Sequence, residues 1–441
     1  MKWRVPDSLM FTVYALPLFC FPLSTAGAGI SAGLLLVIYA FSGHWRKWRR
    51  IQARPWALPL AILIGWTLLG LLWTTNMVFG FKVAEATGYG IFAFIGATLP
   101  WKERWIKWLI TLFLAGLLIN AFLAALMTWD VLPWKNVDDV PYTGFCDHIF
   151  LSLAIAHALL WLTWDFKRQW NFPRWANLFI GIVLLTQMAV TPARSGQLLL
   201  VLLLPIAVWM LYPGRWRYWA STVITVSVAA LFALPTVRAH FMVGIHELFS
   251  FNIHQADITS SWGIRVLAMI GGVMLFLAHP LFGVGTGNFY PAILKMQAAH
   301  QIPATPGFIM NTAANSFVSE AASLGIIGLG LFLWFLWSLG HETWKSRMLP
   351  QNWFALSYLS IYLIGGLFDG LSWGYADAIT IALIAGLPLH QISQVEPESL
   401  GELAAEIIIV DSGPNDFTEG NFSNLPIDEP PIRRESEQVQ C

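Results

Sequence analysis

The sequence predicts an all-α, polytopic membrane protein of about twelve transmembrane helices, interrupted by one long external loop. Three features predict it: the composition, the length of the apolar runs, and the residues at their ends. Of the 441 residues, 57% are hydrophobic and only 11% charged, against roughly 25% charged in a soluble domain. Such a chain has too little polar surface to cover itself in water. Segments such as 57–73 (ALPLAILIGWTLLGLLW), 107–127, 176–190 and 315–339 are nearly unbroken apolar runs close to the ~20 residues that cross a bilayer as helix. Many of the 24 tryptophans stand at the ends of these runs, among them Trp45, Trp48, Trp101, Trp105, Trp216 and Trp219. That is where a ring with an apolar body and a polar tip meets the headgroups.

In chain order, the expected helices lie near 8–23, 25–41, 57–73, 81–99, 107–128, 147–164, 176–191, 196–212, 219–236, 315–339, 352–369 and 374–390. With the N-terminus inside, the inner loops hold seventeen Lys and Arg, the outer side six (Lys82, Lys135, Arg194, Arg238, Arg265, Lys295), and the tail the remaining two of 25. The bias recurs loop after loop, so the positive-inside rule sets both termini in the cytoplasm. Lys2 and Arg4 before the first apolar run imitate a secretory signal, but the next helix follows at once, which reads as a hairpin. Phe19 is too bulky for a lipoprotein cleavage position before Cys20, and Cys20, Cys146 and Cys441 are too scattered for a disulfide framework.

The chain divides into membrane helices 1–236, an external loop 237–314 with short helices, membrane helices 315–391 and a tail 392–441. The tail carries eleven acidic residues against Arg433 and Arg434, and reads as solvated and disordered. Within the loop, Arg265 to Ala278 is apolar yet about two-thirds of a span, which suits a re-entrant or interface-lying helix. A structured external loop is where function concentrates.

Three motifs stand out. Residues 260–289 (SSWGIRVLAMIGGVMLFLAHPLFGVGTGNF) set Arg265 ahead of an apolar helix, then His279, Pro280, Gly283, Gly285, Gly287, Asn288 and Phe289. Ala193-Arg194-Ser195-Gly196 places a second arginine at the outer end of a helix. Residues 314–328 read ANSFVSEAASLGIIG and open another. In order and setting these motifs resemble those of the O-antigen ligase family, with its related polymerases and protein O-oligosaccharyltransferases; the match in topology covers residues 1 to about 390. The family's third motif begins His-Asn, and here Ala314 stands where the histidine is expected. Asn315, Phe317, Leu324, Gly325 and Gly328 keep the pattern, which reads as a recent or introduced change at one position.

The resemblance implies a GT-C-like helical bundle in the bacterial inner membrane with its active face in the periplasm. It implies transfer of a glycan from undecaprenyl pyrophosphate to an acceptor hydroxyl with inversion, without a metal or other cofactor. The first reading is an O-antigen ligase acting on lipid A-core; a glycan polymerase and a pilin glycosylation enzyme use the same donor. Expected partners are the lipid-linked donor, the acceptor and membrane lipids, with no nucleic acid. In this reading the catalytic positions are Arg194, Arg265 and residue 314, and Lys82, Asn315 and His148 bind substrate.

The chemistry of those residue types agrees. An arginine beside a bilayer is costly to desolvate and usually has an anionic partner; its fork matches phosphate oxygens two at a time. Arg194 and Arg265 together could hold a pyrophosphate and stabilise it as it leaves. The bland alternative for Arg194 is snorkelling to lipid phosphates. Lys82 is a third cation, with a salt bridge to Glu85 as its structural alternative. The acceptor hydroxyl needs a general base, and histidine suits neutral pH. Alanine cannot accept a proton; His148 and His300 are the substitute bases, each reading otherwise as an ordinary loop residue.

Other signals are set aside. The Gly283–Gly287 glycines follow an apolar helix with no βαβ unit around them, which excludes dinucleotide binding. His240, His246 and His254 lack zinc spacing, and His157 within an apolar run reads as a satisfied core histidine. Glu320 reads as a capping carboxylate near Ser316 or Ser319. The competing class is a transporter or lipid flippase, which would place ionisable groups at mid-membrane and show internal repeats; neither is seen.

Overall fold

A computed structural model describes residues 5–133, 143–191, 193–233, 242, 261–303 and 311–389. The acidic tail, Lys135, Arg238, His240, His246 and His254 lie outside the described residues. Every regular element among the described residues is helical. The first helices are α1 (Asp7–Cys20), α2 (Thr25–Ser42), α3 (Ala57–Leu69, extended by the 3-10 turn Gly70–Trp73), α4 (Met77–Gly88) and α5 (Ile91–Thr98). There follow α6 (Glu103–Thr128), α7 (His148–Arg168), α8 (Arg174–Val190), α9 (Arg194–Leu211) and α10 (Arg215–Ala233). The last are α11 (Ser261–Ala278), α12 (Phe289–Ala298), α13 (Ser316–Lys345), α14 (Pro350–Gly365) and α15 (Tyr375–Ala385).

The expected helices are present, with one divided: 81–99 breaks at Tyr89 and Gly90 into α4 and α5. By length and composition five helices can cross a membrane among the described residues, and the bent pair His44–Gln52 with Ala57–Trp73 makes a sixth if it is one span. Five further apolar helices are only 10–17 residues long, among them Asp7–Cys20 and Tyr375–Ala385. A shorter helix is still useful in a bundle, because neighbours bury what it cannot span alone.

Polar side chains tie the helix ends together. At one end, buried Asn120 on α6 donates to Pro22 O (2.6 Å) and Thr143 O (3.1 Å) and accepts from Gln187 on α8 (2.6 Å). At the other, Arg54 donates to Ala385 O and Leu387 O (3.1 and 2.7 Å), and its Nε lies 3.0 Å from Glu342 Oε1. Both members of that pair are buried, so this end of α13 and α15 is held to the segment before α3 by charge as well as by packing. His157, fully buried on α7, has Nε2 2.9 Å from Phe354 O, a core histidine as its apolar setting predicts, although its Nδ1 has no partner among the described residues.

The segment between α10 and α13 folds back into the bundle over residues 261–303. α11 packs along the first turns of α13, the turn His279–Asn288 follows, and α12 leaves. α13 is broken where that turn meets it: Gly325 has φ 70° and ψ −168°, a conformation essentially reserved for glycine. A break in a helix strands the carbonyls and amides on either side of it. Here the turn replaces them, since Val284 N donates to Ala322 O (2.9 Å), Gly285 N to Ser323 O (2.9 Å), and Ile326 N to Pro280 O (2.8 Å). Trp66 Nε1 on α3 takes the Leu324 carbonyl at 3.0 Å. Helix break and turn are therefore one device, and each needs the other.

The backbones meet closely there. A Cβ at Gly325 would lie 2.1 Å from Leu281 O, and one at Gly283 2.3 Å from the Ser323 carbonyl carbon. Gly325→Ala is expected to lower the melting temperature and open residues 279–288 to protease. The expected loss is about 1–3 kcal/mol for the glycine-only backbone and another ~1–3 for the overlap. Gly330→Ala, whose Cβ meets open space, is the matched control and should leave both readouts in place or raise stability.

Candidate functional site

The site is built on the start of α13. Asn315 caps that helix: its Oδ1 accepts from Val318 N at 3.0 Å, the short polar side chain doing what the first-turn amides require. Its Nδ2 donates to Leu367 O at 3.0 Å, so both polar ends of the amide serve the turn. Ser316 N donates to Gly366 O (2.7 Å), and its hydroxyl donates to Asp369 O (3.0 Å). The beginning of α13 is thus sewn to the connection between α14 and α15. Ala314 precedes this, buried and with φ 51°, a left-handed backbone uncommon for alanine.

Arg265 reaches the same connection from α11. Its Nη1 donates to Phe368 O at 2.8 Å and lies 3.3 Å from Asp369 Oδ2, with both side chains about a quarter exposed. Among the described residues only Nη1 is engaged, so the Nε–Nη2 edge, which matches two phosphate oxygens, has no protein partner. Two motif positions far apart in sequence, 265 and 314–316, are brought to one place by Phe368 and Asp369.

The other candidates approach through their helices. Arg194 is the first residue of α9, and two residues on Gly196 packs so closely on α7 that a Cβ would lie 2.5 Å from Ser152 Cβ. Gly365, just before the connection, faces Leu199 of α9 and Leu153 of α7. The starts of α7 and α9 therefore flank the connection that holds Arg265. His148 opens α7 behind Asp147, whose carboxylate caps the helix by accepting from Ile149 N at 2.8 Å. Phe150, in the same turn, lies against Gly374.

Lys82 lies on α4, which packs against Leu371–Trp373, and is exposed. The alternative, a bridge to Glu85, does not form; Glu85 instead accepts a short hydrogen bond from Tyr89. Nothing draws Lys82 onto the other candidates, although its helix borders their connection. His300 follows α12 with φ 56°, away from this cluster.

Two acidic residues matter more than the sequence suggests. Asp369 orients Arg265 and, through its backbone, Ser316. Glu320 is not a cap; it is buried one turn into α13 and accepts from Trp373 Nε1 at 3.0 Å. It lines a cavity of about 40 Å³ with Tyr362 and Ser372, just beneath the connection. The signal in the sequence is the segment FDGLSWGYAD (368–377), where two carboxylates, three aromatic rings and two glycines interrupt the apolar pattern between two helices.

This arrangement can hold an anion at Arg265 beside a tight turn at residue 314, on the side where the segment 261–303 folds back. It offers a guanidinium edge, a carboxylate that orients it and a fixed backbone, the parts that stabilise a leaving phosphate. No curated protein matches the chain. The family model described as O-antigen ligase matches residues 179–333, from α8 to beyond the break in α13. The matched stretch contains Arg194, Arg265 and Ala314 and the whole re-entrant turn. Residues 179–333, about a third of this chain of apolar helices, are therefore similar to the O-antigen ligase family.

Proposed function

We propose that this chain transfers a glycan from undecaprenyl pyrophosphate to an acceptor hydroxyl at the periplasmic face of the inner membrane, as an O-antigen ligase acting on lipid A-core. The observation that carries this reading is the meeting of Arg265 with residues 314–316 at Phe368 and Asp369, within the matched family stretch. The acceptor oxygen attacks the anomeric carbon from the face opposite the pyrophosphate, the bond to the pyrophosphate oxygen breaks, and undecaprenyl pyrophosphate leaves. Arg265 and Arg194 neutralise its growing charge, which electrostatic preorganisation does without a proton being moved. Asp369 and Asn315 act as positioning residues, and Lys82 and His148 extend the polar rim toward substrate.

The acceptor also loses a proton, and residue 314 supplies no base. Transfer by the chain as it stands is accordingly slow in this account, and replacement by histidine restores it. The acceptor is identified by giving membranes bearing the Ala314→His protein a polyprenyl pyrophosphoryl glycan with lipid A-core, a second lipid-linked repeat, or pilin. Labelled lipid A-core is the expected product. Elongation of the lipid-linked repeat would make the chain a polymerase, and labelled pilin would make it a protein glycosylation enzyme. Movement of the donor across vesicles without any transfer would refute the proposal in favour of a transporter.

A further inference from the structure

α7 and α13 begin at the candidate site and are 21 and 30 residues long, so their far ends lie tens of ångströms from it. Between those far ends is a cavity of about 810 Å³, lined by Arg168, Lys345 and Arg347 together with Trp164, Trp170 and Leu349. Among the described residues, no carboxylate lines it. Of the nearby acids, Glu342 pairs with Arg54 and also attracts Lys345, and Asp165 accepts from Trp170 N, Asn171 N and Phe172 N, holding the loop that forms one wall.

Basic residues at helix C-termini have an ordinary explanation, since they complement the helix dipole, and Arg168 and Lys345 are so placed. Arg347 is not, because it lies beyond the end of α13, with its guanidinium 4.6 Å over the Trp344 ring. Three cations around one concavity, with tryptophan and leucine in the same wall, make a setting for a ligand that is anionic at one end and apolar at the other. Basic pockets between helices at a membrane surface bind lipid headgroups in this way, and interfacial tryptophans place such a pocket at headgroup level.

We propose that this cavity binds the phosphate headgroup of an anionic phospholipid, with Arg168, Lys345 and Arg347 facing the phosphate and the acyl chains leaving toward the bilayer. Phosphatidylglycerol is the probe. The proposal does not depend on the transfer reaction at the other end.

The test reconstitutes the full chain in bilayers of phosphatidylglycerol and phosphatidylethanolamine and counts retained lipid by native mass spectrometry. The protein should keep phosphatidylglycerol in preference to phosphatidylethanolamine. Arg168→Ala, Lys345→Ala and Arg347→Ala should each weaken retention roughly fivefold, and the triple variant by about a hundredfold. Arg168→Lys with Lys345→Arg should retain most of it, which separates loss of charge from loss of folding. A variant lacking Arg46, Lys47 and Arg49 removes as much charge elsewhere and should bind normally. Equal loss in that variant, undiminished retention in the triple variant, or displacement of the lipid by inorganic phosphate at the same concentration would overturn the proposal. If the triple variant does not fold, the three single variants decide it.

Discussion

Ala314→His is expected to raise the rate of glycan transfer by about 10²–10⁴-fold, the range over which a positioned general base acts. The backbone favours the change. Residue 314 sits at φ 51°, in a region where an alanine strains and where histidine is among the residues found several times more often than others. Its N–H is already bonded to Thr312 Oγ1 at 3.3 Å, so the turn is held by neighbours and not by the residue 314 side chain. The new imidazole starts one residue before the Asn315 cap and the Ser316 bonds that tie this turn to Gly366 and Asp369. Stability should therefore stay level or rise slightly, and the gain should appear in kcat. Transfer kinetics of the two proteins, with melting temperatures alongside, check this; an unchanged rate with an intact fold would leave residue 314 without a part in the chemistry.

Arg265→Ala in the Ala314→His background is expected to cost about 10²–10³-fold in transfer, as removal of one preorganised donor to a developing oxyanion does. Expression should be kept, because Arg265 is partly exposed and its ion pair with Asp369 is at the edge of the bundle. Two comparisons separate chemistry from architecture. Arg265→Lys keeps the charge but loses the two-pronged edge, and should recover only part of the rate. Asp369→Asn keeps the backbone carbonyl that holds Ser316 and removes the carboxylate that aims Arg265, so it should lower the rate less than Arg265→Ala does. Equal effects of all three on melting temperature and on rate would mean that the cluster is only structural.

Much of this was legible in the sequence, because a helix that must hide in lipid writes its presence in long apolar runs. α7, α13 and the short apolar α11 could be read that way. What was not legible depends on contacts between distant segments. Gly325 in LGIIG looks like any helical glycine; its break exists only because Pro280, Val284 and Gly285, some forty residues earlier, take over the stranded backbone groups. Asp369 is a single acid in a short turn, and nothing in its neighbourhood says that Arg265, 104 residues before it, will meet it. Glu320 invited a capping assignment, but Asn315 already fills that place and Trp373 claims the carboxylate. The Lys82–Glu85 bridge, the structural alternative for Lys82, does not form, since Tyr89, also one turn away, takes the same carboxylate.

The most direct test reconstitutes the Ala314→His protein in liposomes with undecaprenyl pyrophosphoryl glycan and lipid A-core, and follows both the joined product and released undecaprenyl pyrophosphate. The account predicts that the two form together, one for one, and that Arg194→Ala abolishes both while the protein still folds. Full activity in the Arg194→Ala protein, or donor crossing the bilayer intact with no product, would contradict it.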